Sequence, residues 1–466
     1  MRARSTVSTA VALLAVVAST ALAGGRAIAE PQALNLEEVA FEPIEQATHL
    51  EFMAREVAGQ MRHYALLGSR AATREDGGGL NVFDITDPET PVLIERTACV
   101  SSGGAQDPKA FPVDLEINDI RYDTMIAVAH NDQLTACSIG DRSAVFFVGI
   151  RAEADPGDPD GVTFDFLGGP IKDADTGGTF NGWQSPAAHT IVNHPTRPIL
   201  YVGNQQIGDR TPSIEIINLE VWPPTARSFD FMPAGRTTTG VGPHDITFHP
   251  DGTRAYAAGI ATTVILDTTG DKVLAPEFVG ITKGGRIDHE AVLHPNDRHL
   301  AIVDEFIATS EANAPACPGG GIHFFDLGPR NPLTGTHAFE ASPVEVGVFF
   351  AQDFSTPAIR MTPEGPEPHL ELGCTAHEFN YAPDGTWMPI GWYGAGVRVL
   401  DLSALDTAAD VPSPTPVVVP EIGYYLPEGI VEFWSAKVHP ADPGYIVASD
   451  TPNGLRILKL TGDLAP

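Results

Sequence analysis

The stretch GPHDITFHPDGTRAYAAG (242–259) holds two short runs of alternating apolar and polar residues, joined by a His-Pro-Asp-Gly turn. Alternation with a period of two is typical of β-strands, and these turn residues connect antiparallel strands. The pattern recurs without gaps in four further segments: AAHTIVNHPTRPILYVGN (187–204), IDHEAVLHPNDRHLAIVDE (287–305), TAHEFNYAPDGTWMPIGWY (375–393) and EFWSAKVHPADPGYIVASD (432–450). The sequence therefore predicts repeated copies of one β-hairpin unit.

Two more copies bring the number of units to seven. FPVDLEINDIRYDTMIAVAH (111–130) keeps the spacing, and ATHLEFMAREVAGQMRHYALLGS (47–69) fits after a short insertion. A third strand follows most copies, as in LNVFDITDP (80–88), and a fourth follows several, as in VFFVGI (145–150) and EFVGI (277–281). Four antiparallel strands in each unit of about 40–60 residues predict an all-β fold, a seven-bladed β-propeller.

The last copy ends at Pro466, after its third strand. The segment LNLEEVAFEP (34–43), which follows the signal peptide, is the expected source of its fourth strand. We therefore expect an N-terminal strand to close the ring and residues 30–466 to form one propeller domain.

The repeats resemble the LVIVD-repeat propellers and, more distantly, the YVTN-type lactonase-like propellers. The resemblance depends on LNVFDITDP, VRVLDLS (397–403) and PHDITFHPDGTRAYAAG, and it extends over residues 34–466. It implies a secreted or surface propeller, and it does not imply any particular chemistry.

One position in the repeat carries a histidine in most copies. Residues at the same offset in every blade lie at the same height around the propeller axis. This offset, which opens the innermost strand, carries His189, His244, His289, His377 and, in the loosest copy, His49; Asp114 and Trp434 occupy it in the other two. The ring either lines the channel mouth with polar groups or, as neutral imidazoles suit iron, copper and zinc, binds a transition metal.

Acidic and phenolic residues are expected at the same mouth. Antiparallel pairing brings the end of each second strand to this face, which places Asp304, Glu305 and Tyr393 there as candidates for general acid/base catalysis. Asp245, Glu290 and Glu378 follow ring histidines directly, and strand alternation turns them away from their own histidine. They are expected either to orient a histidine of another blade or to link the blades by hydrogen bonds.

A second set of histidines precedes proline in the turns at the other end of the hairpins: His194, His249, His294 and His439. We interpret these as turn residues. The G-x-S-x-G, P-loop and H-E-x-x-H motifs are absent from the sequence, which argues against a serine hydrolase, a nucleotide-binding enzyme and a zincin.

Composition and the N-terminus bear on location and partners. The net charge of −32, without any run of Lys and Arg, excludes nucleic acid as a partner. Residues 1–29 have the arginines, apolar stretch and A-x-A site of a cleaved signal peptide, so a secreted or periplasmic protein without a membrane span is expected. Two disulfides would suit that setting, and nearness in sequence favours Cys99 with Cys137 and Cys317 with Cys374.

These observations favour a metal-dependent oxidoreductase that acts on a small-molecule substrate. Iron or copper is favoured over magnesium or calcium because the predicted donors are mostly nitrogen, and zinc is a rival that suits the same donors. A zinc-type hydrolase or lyase and a non-catalytic propeller that binds a protein or glycan are the alternatives. If the ring holds a metal, ordinary imidazole pKa values predict its release toward pH 5. The oligomeric state is left open.

Overall fold

The seven predicted hairpins are all present as antiparallel strand pairs in the computed structural model. In the hairpin of 242–259, Asp245 is opposite Ala258 and Phe248 is opposite Ala255. The structure describes residues 32–71, 78–97, 106–130, 145–158, 160–169, 171–178, 188–203, 213–230, 243–259, 262–306, 318–351, 359–362, 365–368, 374–406, 415–429 and 431–466.

The first half of the chain contributes two N-terminal strands and three sheets. The N-terminal strands are β1 (Gln32–Leu34) and β2 (Leu36–Pro43). The first sheet contains β3 (Ala47–Val57), β4 (Gln60–Ser69), β5 (Gly79–Asp84) and β6 (Val92–Arg96). The second contains β7 (Gln106–Ile117), β8 (Ile120–His130), β9 (Val145–Arg151) and β10 (Phe164–Gly168). The third contains β11 (Lys172–Asp173), β12 (Thr190–Asn193), β13 (Ile199–Gly203), β14 (Ser213–Asn218) and β15 (Thr225–Asp230).

The second half contributes the remaining sheets. The fourth contains β16 (Asp245–Phe248), β17 (Arg254–Ala258), β18 (Thr263–Asp267) and β19 (Glu277–Thr282). The fifth contains β20 (Asp288–Leu293), β21 (His299–Asp304), β22 (Ile322–Asp326) and β23 (Val344–Phe349), with β29 (Val417–Val418) at its edge. A separate hairpin contains β24 (Ile359–Thr362) and β25 (Gly365–Pro368). The described residues include three helical turns, at Gly270–Leu274, Ser403–Asp406 and Gly462–Leu464.

The last strands form one sheet of nine. It contains β26 (Thr375–Phe379), β27 (Trp387–Tyr393), β28 (Gly396–Asp401), β30 (Glu421–Leu426), β31 (Phe433–Val438), β32 (Tyr445–Asp450) and β33 (Gly454–Leu460), together with β1 and β2. Within it β2 pairs antiparallel to β33, from Leu36 opposite Leu460 to Pro43 opposite Gly454.

The fold is an all-β propeller, but the prediction of seven separate blades is wrong. In the described part of the chain, five sheets of four or five strands form separate blades, and the nine-stranded sheet replaces the other two. The reason is local: the innermost strands β26 and β31 approach closely enough to pair in parallel, with Glu378 opposite Ser435 and Phe379 opposite Ala436. The segment 145–150 is also not a fourth strand, because β9 lies third in its sheet and β10 follows it.

The innermost strands lie next to one another around the axis. They follow the order β3, β7, β12, β16, β20, β26 and β31, and β31 in turn contacts β3. Apolar side chains fill the space between neighbouring sheets; Tyr201 and Ile216 of the third sheet, for example, pack with Ala257 and Val264 of the fourth. Residues at one height on the innermost strands are therefore brought together at the axis.

The histidines that precede proline link the turns of different sheets. The Nε2 atom of each histidine forms a hydrogen bond to a group on the next turn. The partners are the Gly252 carbonyl for His194 at 2.9 Å, Asp297 for His249 at 2.8 Å, the Gly385 carbonyl for His294 at 2.7 Å and the Ile85 carbonyl for His439 at 2.8 Å. These contacts agree with a structural role, and they lie away from the other histidine set.

The described residues leave some predictions untested. Cys374 is buried, whereas Cys99, Cys137 and Cys317 lie outside the described residues, so both disulfide pairings stay predictions. The predicted signal peptide, residues 1–29, lies outside them as well. Among the described helices, none has the length and hydrophobicity required to span a membrane.

Candidate metal centre

Five histidines from the repeat offset converge at the axis. His49 and His377 lie in β3 and β26, His289 lies in β20, and His189 and His244 come just before β12 and β16. Each is at most 4% exposed. The ring centroids of His189 and His244 are 4.3 Å apart, those of His244 and His289 are 4.1 Å apart, and those of His289 and His377 are 4.0 Å apart. We call His189, His244, His289 and His377 the axial row; His49 stands 6.0 Å from its His189 end.

The backbone contacts between neighbouring sheets fix this spacing. Thr190 Oγ1 donates a hydrogen bond to the His244 carbonyl at 2.6 Å. Gly203 lies beside the same carbonyl, and a Cβ atom there would come within 2.9 Å of the oxygen. A larger residue at 203 would push the third and fourth sheets apart and separate His189 from His244.

Most nitrogen atoms of the axial row lack a hydrogen-bond partner among the described residues. The buried atoms without a partner are both ring nitrogens of His189, both ring nitrogens of His289 and the Nδ1 atom of His244. Burying an unpaired polar atom costs roughly 1–3 kcal/mol, so several of them in one place are a considerable burden on the fold. Lone pairs that converge in this way are suited to bind a metal ion.

Glu305 adds a carboxylate to the row. Its Oε2 atom is 3.6 Å from Nε2 of His244, and its Oε1 atom is 3.7 Å from Nε2 of His377. One ligand atom each from His244, His289 and Glu305 lie within 4.8 Å of one another. Two imidazoles and a carboxylate at this spacing can share one metal ion, with His377 or His189 as a further ligand.

Tyr393 and Trp434 form the wall beside His377. The Tyr393 ring stacks on His377 with centroids 4.6 Å apart, and the Trp434 ring lies 4.7 Å away. Nδ1 of His377 donates to the Trp434 carbonyl at 2.6 Å, which leaves the Nε2 lone pair directed toward Glu305. Tyr393 also hydrogen bonds to Glu305, so this predicted acid/base residue lies within the cluster.

Burial keeps the axial row uncharged. It lowers the pKa of His189 to about 3, and burial followed by neighbouring histidines lowers the pKa values of His244 and His289 well below the usual range. Burial likewise lowers the pKa of His377. Glu305 shifts in the opposite sense, because burial and then the Glu432 carboxylate raise its pKa to about 8. Neutral imidazole is the form that binds metals.

His49 differs from the axial row in its electrostatics. Its Nδ1 atom is in contact with the Glu378 carboxylate and lies 3.8 Å from Asp107. Burial opposes the charged form, but the Glu378 carboxylate outweighs it, so the pKa of His49 is raised. His49 is therefore paired as a cation with Glu378, which makes it a poorer candidate ligand than the axial row. Of the three carboxylates after ring histidines, Glu378 is the one that contacts an imidazole of another sheet.

Two predicted site residues do not join the cluster. Asp114 is exposed and pairs with Arg121 at 3.0 Å near the far end of β7. The strand begins at Gln106, and its register shifts between Pro112 and Leu115, so the position near the axis belongs to Asp107. Asp304, the last residue of β21, is buried, and its side chain accepts a hydrogen bond from the Ile287 amide at 2.8 Å.

A layer of charged side chains lies next to the histidines. Lys109 bridges Asp107 and Glu51, and Lys437 contacts Glu51 at 3.4 Å. These lysines are not evident as site residues from the sequence, since a lone Lys in a strand is usually solvated. Their position in the repeat is the signal that could have found them: Glu51, Lys109 and Lys437 all occupy inward positions two or three residues after the repeat offset or its equivalent.

Comparison with known proteins shows the fold and leaves the function open. No family model matches the chain, and no curated protein matches it, so the resemblance to LVIVD-repeat propellers is not supported by such a match. The β-propeller domain of Cps50 (Swd1) from Myceliophteria thermophila aligns over 91% of this chain and 100% of its own, with a TM-score of 0.51 and 10% identity. A putative 6-phosphogluconolactonase from Bacteroides fragilis aligns over 85% and 89%, with a TM-score of 0.50 and 11% identity.

Proposed function

We propose that this chain is a secreted β-propeller whose axial row, with Glu305, binds one transition-metal ion, and that it is a metal-dependent enzyme acting on a small molecule. The observation that carries the proposal is the set of buried, unpartnered nitrogen atoms on His189, His244 and His289 among the described residues. A bound cation would satisfy the one lone pair that each neutral imidazole carries and so reduce the cost of burying these rings.

The donor set favours a redox metal. Several imidazoles with one carboxylate suit iron or copper, and zinc is also compatible with them, whereas magnesium and calcium prefer oxygen donors. When bound, such an ion would supply redox or Lewis-acid chemistry. We therefore favour an oxidoreductase, with a zinc-type hydrolase or lyase as the alternative.

The residues around the row are suited to handle protons. In the metal-free protein the pKa of Glu305 is about 8, so this carboxyl carries a proton at neutral pH and would give it up on joining the imidazoles as a ligand. Tyr393, which hydrogen bonds to Glu305, can hold that carboxyl in place. Trp434 and Tyr393 cover one side of His377 and limit access of water there.

Elemental analysis tests the proposal directly. Protein purified without a histidine tag and reconstituted separately with iron, copper and zinc should hold about one equivalent of at least one of them. A small-molecule screen that loses its activity without oxygen would support an oxidoreductase, and oxygen-independent turnover restored by zinc alone would favour a hydrolase or lyase. Less than about a tenth of an equivalent of every metal would reject the metal centre and favour a non-catalytic binding propeller.

We also propose that β2 closes the ring. Its support is that β2 pairs with β33, from Leu36 opposite Leu460 to Pro43 opposite Gly454, and so covers the outer edge of the run β31, β32 and β33. Glu38 of β2 also contacts Arg456 and accepts a hydrogen bond from Tyr425 at 2.7 Å.

Deleting residues 32–43 should lower the melting temperature by roughly 10 °C or more, because β33 would lose the strand that covers its outer edge. Thermal unfolding followed by circular dichroism measures the change. The control is Glu37→Gln, an exposed position on the same strand, which should melt as the unmodified chain does. Unchanged melting of the deleted chain would show that β2 is not needed to close the ring.

A further inference from the structure

A cavity lies on the axis, on the side of the histidines toward the interior of the channel. Its volume is about 290 Å³, and its wall includes Glu51, Lys109, Asp245, Glu290 and Lys437. Asp245 and Glu290 directly follow His244 and His289 along the chain, so strand alternation directs them to this layer while the histidines remain in the row. The cavity is thus next to the proposed metal centre but is lined by oxygen atoms and lysines rather than by imidazoles.

The two lysines are already paired. Lys109 Nζ lies 3.0 Å from Glu51 Oε2 and 3.1 Å from Asp107 Oδ1. Lys437 Nζ donates to the Leu50 carbonyl at 2.7 Å and lies 3.4 Å from Glu51 Oε2. Each ammonium group therefore has carboxylate partners on β3, β7 or both.

Asp245 and Glu290 have no cationic partner within 4.0 Å among the described residues. Asp245 is 8% exposed, and its Oδ1 atom accepts only the amide of the next residue, Ile246, at 2.6 Å. Glu290 is 6% exposed, and its buried Oε2 atom has no hydrogen-bond partner in this part of the structure. Two carboxyl groups that face a cavity without an ion-pair partner within 4.0 Å are costly to ionise there, and a positive ligand between them would remove that cost.

We propose that this cavity binds a small, doubly charged cation between Asp245 and Glu290. Two carboxylates can balance the charge of a divalent cation, and carboxylate oxygens select hard cations over the metals that imidazole prefers. The volume exceeds that of a bare ion and accommodates either a divalent metal ion with part of its water shell or a short diamine. This site does not depend on the proposed metal at the axial row.

Thermal unfolding of the full-length chain tests the site with calcium chloride, magnesium chloride and 1,4-diaminobutane as separate probes. At saturation, one probe should raise the melting temperature by at least about 3 °C over sodium chloride at matched ionic strength. The identity of the effective probe separates a metal ion from an amine. In the Asp245→Asn, Glu290→Gln double variant the rise should vanish, while Asp175→Asn, an exposed carboxylate removed as a control, should keep it.

Failure is equally clear. If no probe stabilises the unmodified protein beyond sodium chloride, and calorimetry on that protein detects no binding, the site does not exist, whether or not the double variant folds. The same holds if the double variant retains the full rise. His289→Ala should keep this response while losing transition metal, so the outcome for the cavity is distinguishable from the outcome for the metal centre.

Discussion

The His244→Ala variant should bind transition metal more than about 100-fold more weakly than the unmodified protein, since removing a group that merely orients a ligand already costs roughly 10–100-fold. His244 is central to the proposed site: its ring lies 4.3 Å from that of His189 and 4.1 Å from that of His289, and Nε2 faces Glu305 at 3.6 Å. Elemental analysis gives the metal content, and competition with a chelator gives the affinity.

His294→Ala is the matched control. His294 is 6% exposed and belongs to the same hairpin as His289, but its Nε2 atom bonds to the Gly385 carbonyl in the turn at the other end. The control should lose stability, because a buried carbonyl is left unpaired, and should keep the metal affinity. Equal loss of metal in both variants, or none in His244→Ala, would contradict binding by the axial row.

The axial row could be predicted because each step from sequence to position is short. A five-residue strand with a period of two fixes which side chains point inward, and repetition of the same offset fixes their height. His189, His244, His289 and His377 obey both conditions. The same alternation separates Glu305 from Asp304: Asp304 ends β21 and accepts a hydrogen bond from the Ile287 amide, whereas Glu305, the next residue, reaches the histidines.

Asp114 shows where this reasoning fails. The repeat copy recognised in the sequence begins at Phe111, but strand β7 begins at Gln106. The irregularity between Pro112 and Leu115 then changes which residues face the axis. A bulge leaves little trace in a polar and apolar pattern, since one extra residue shifts the phase of everything beyond it. Asp107, which the alignment left outside the repeat, is the buried residue near His49.

The joined sheet and the buried ion pairs depend on contacts between units that are far apart in sequence. Two residue pairs between β26 and β31 decide whether the sheet is continuous, and strand patterns do not encode so short a contact. Lys437 reaches Glu51 and the Leu50 carbonyl nearly the whole length of the chain away. Alternation predicts that these side chains face inward but not which of them pair.

The metal-free protein should lose stability in acid because of the axial row. His189 alone should lower the free energy of unfolding by about 2 kcal/mol between pH 7.5 and pH 5. Burial holds the pKa of His189 at about 3 in the folded protein, whereas in the unfolded chain it is about 6.5. Over this window the unfolded state binds more protons, so the free energy of unfolding falls as the pH falls. His189→Gln should remove this contribution, which denaturant unfolding at both pH values measures as a smaller loss than in the unmodified protein.

His337→Gln is the control with the opposite sign. Burial disfavours the charged His337, but the Glu340 carboxylate, 3.7 Å from Nδ1, and the Asp297 groups that bond to Nε2 together outweigh burial and raise its pKa. Its contribution to stability is present in acid and is lost as the pH rises through the raised pKa, so this variant should lose more stability in acid than the unmodified protein.

The low pKa values of the axial row also mean that protons compete poorly for its nitrogen atoms in the folded state, which moves the expected metal release below the pH 5 that ordinary imidazoles predict. Identical pH dependence in His189→Gln and the unmodified protein would show that His189 titrates normally and that the row is not held neutral by burial.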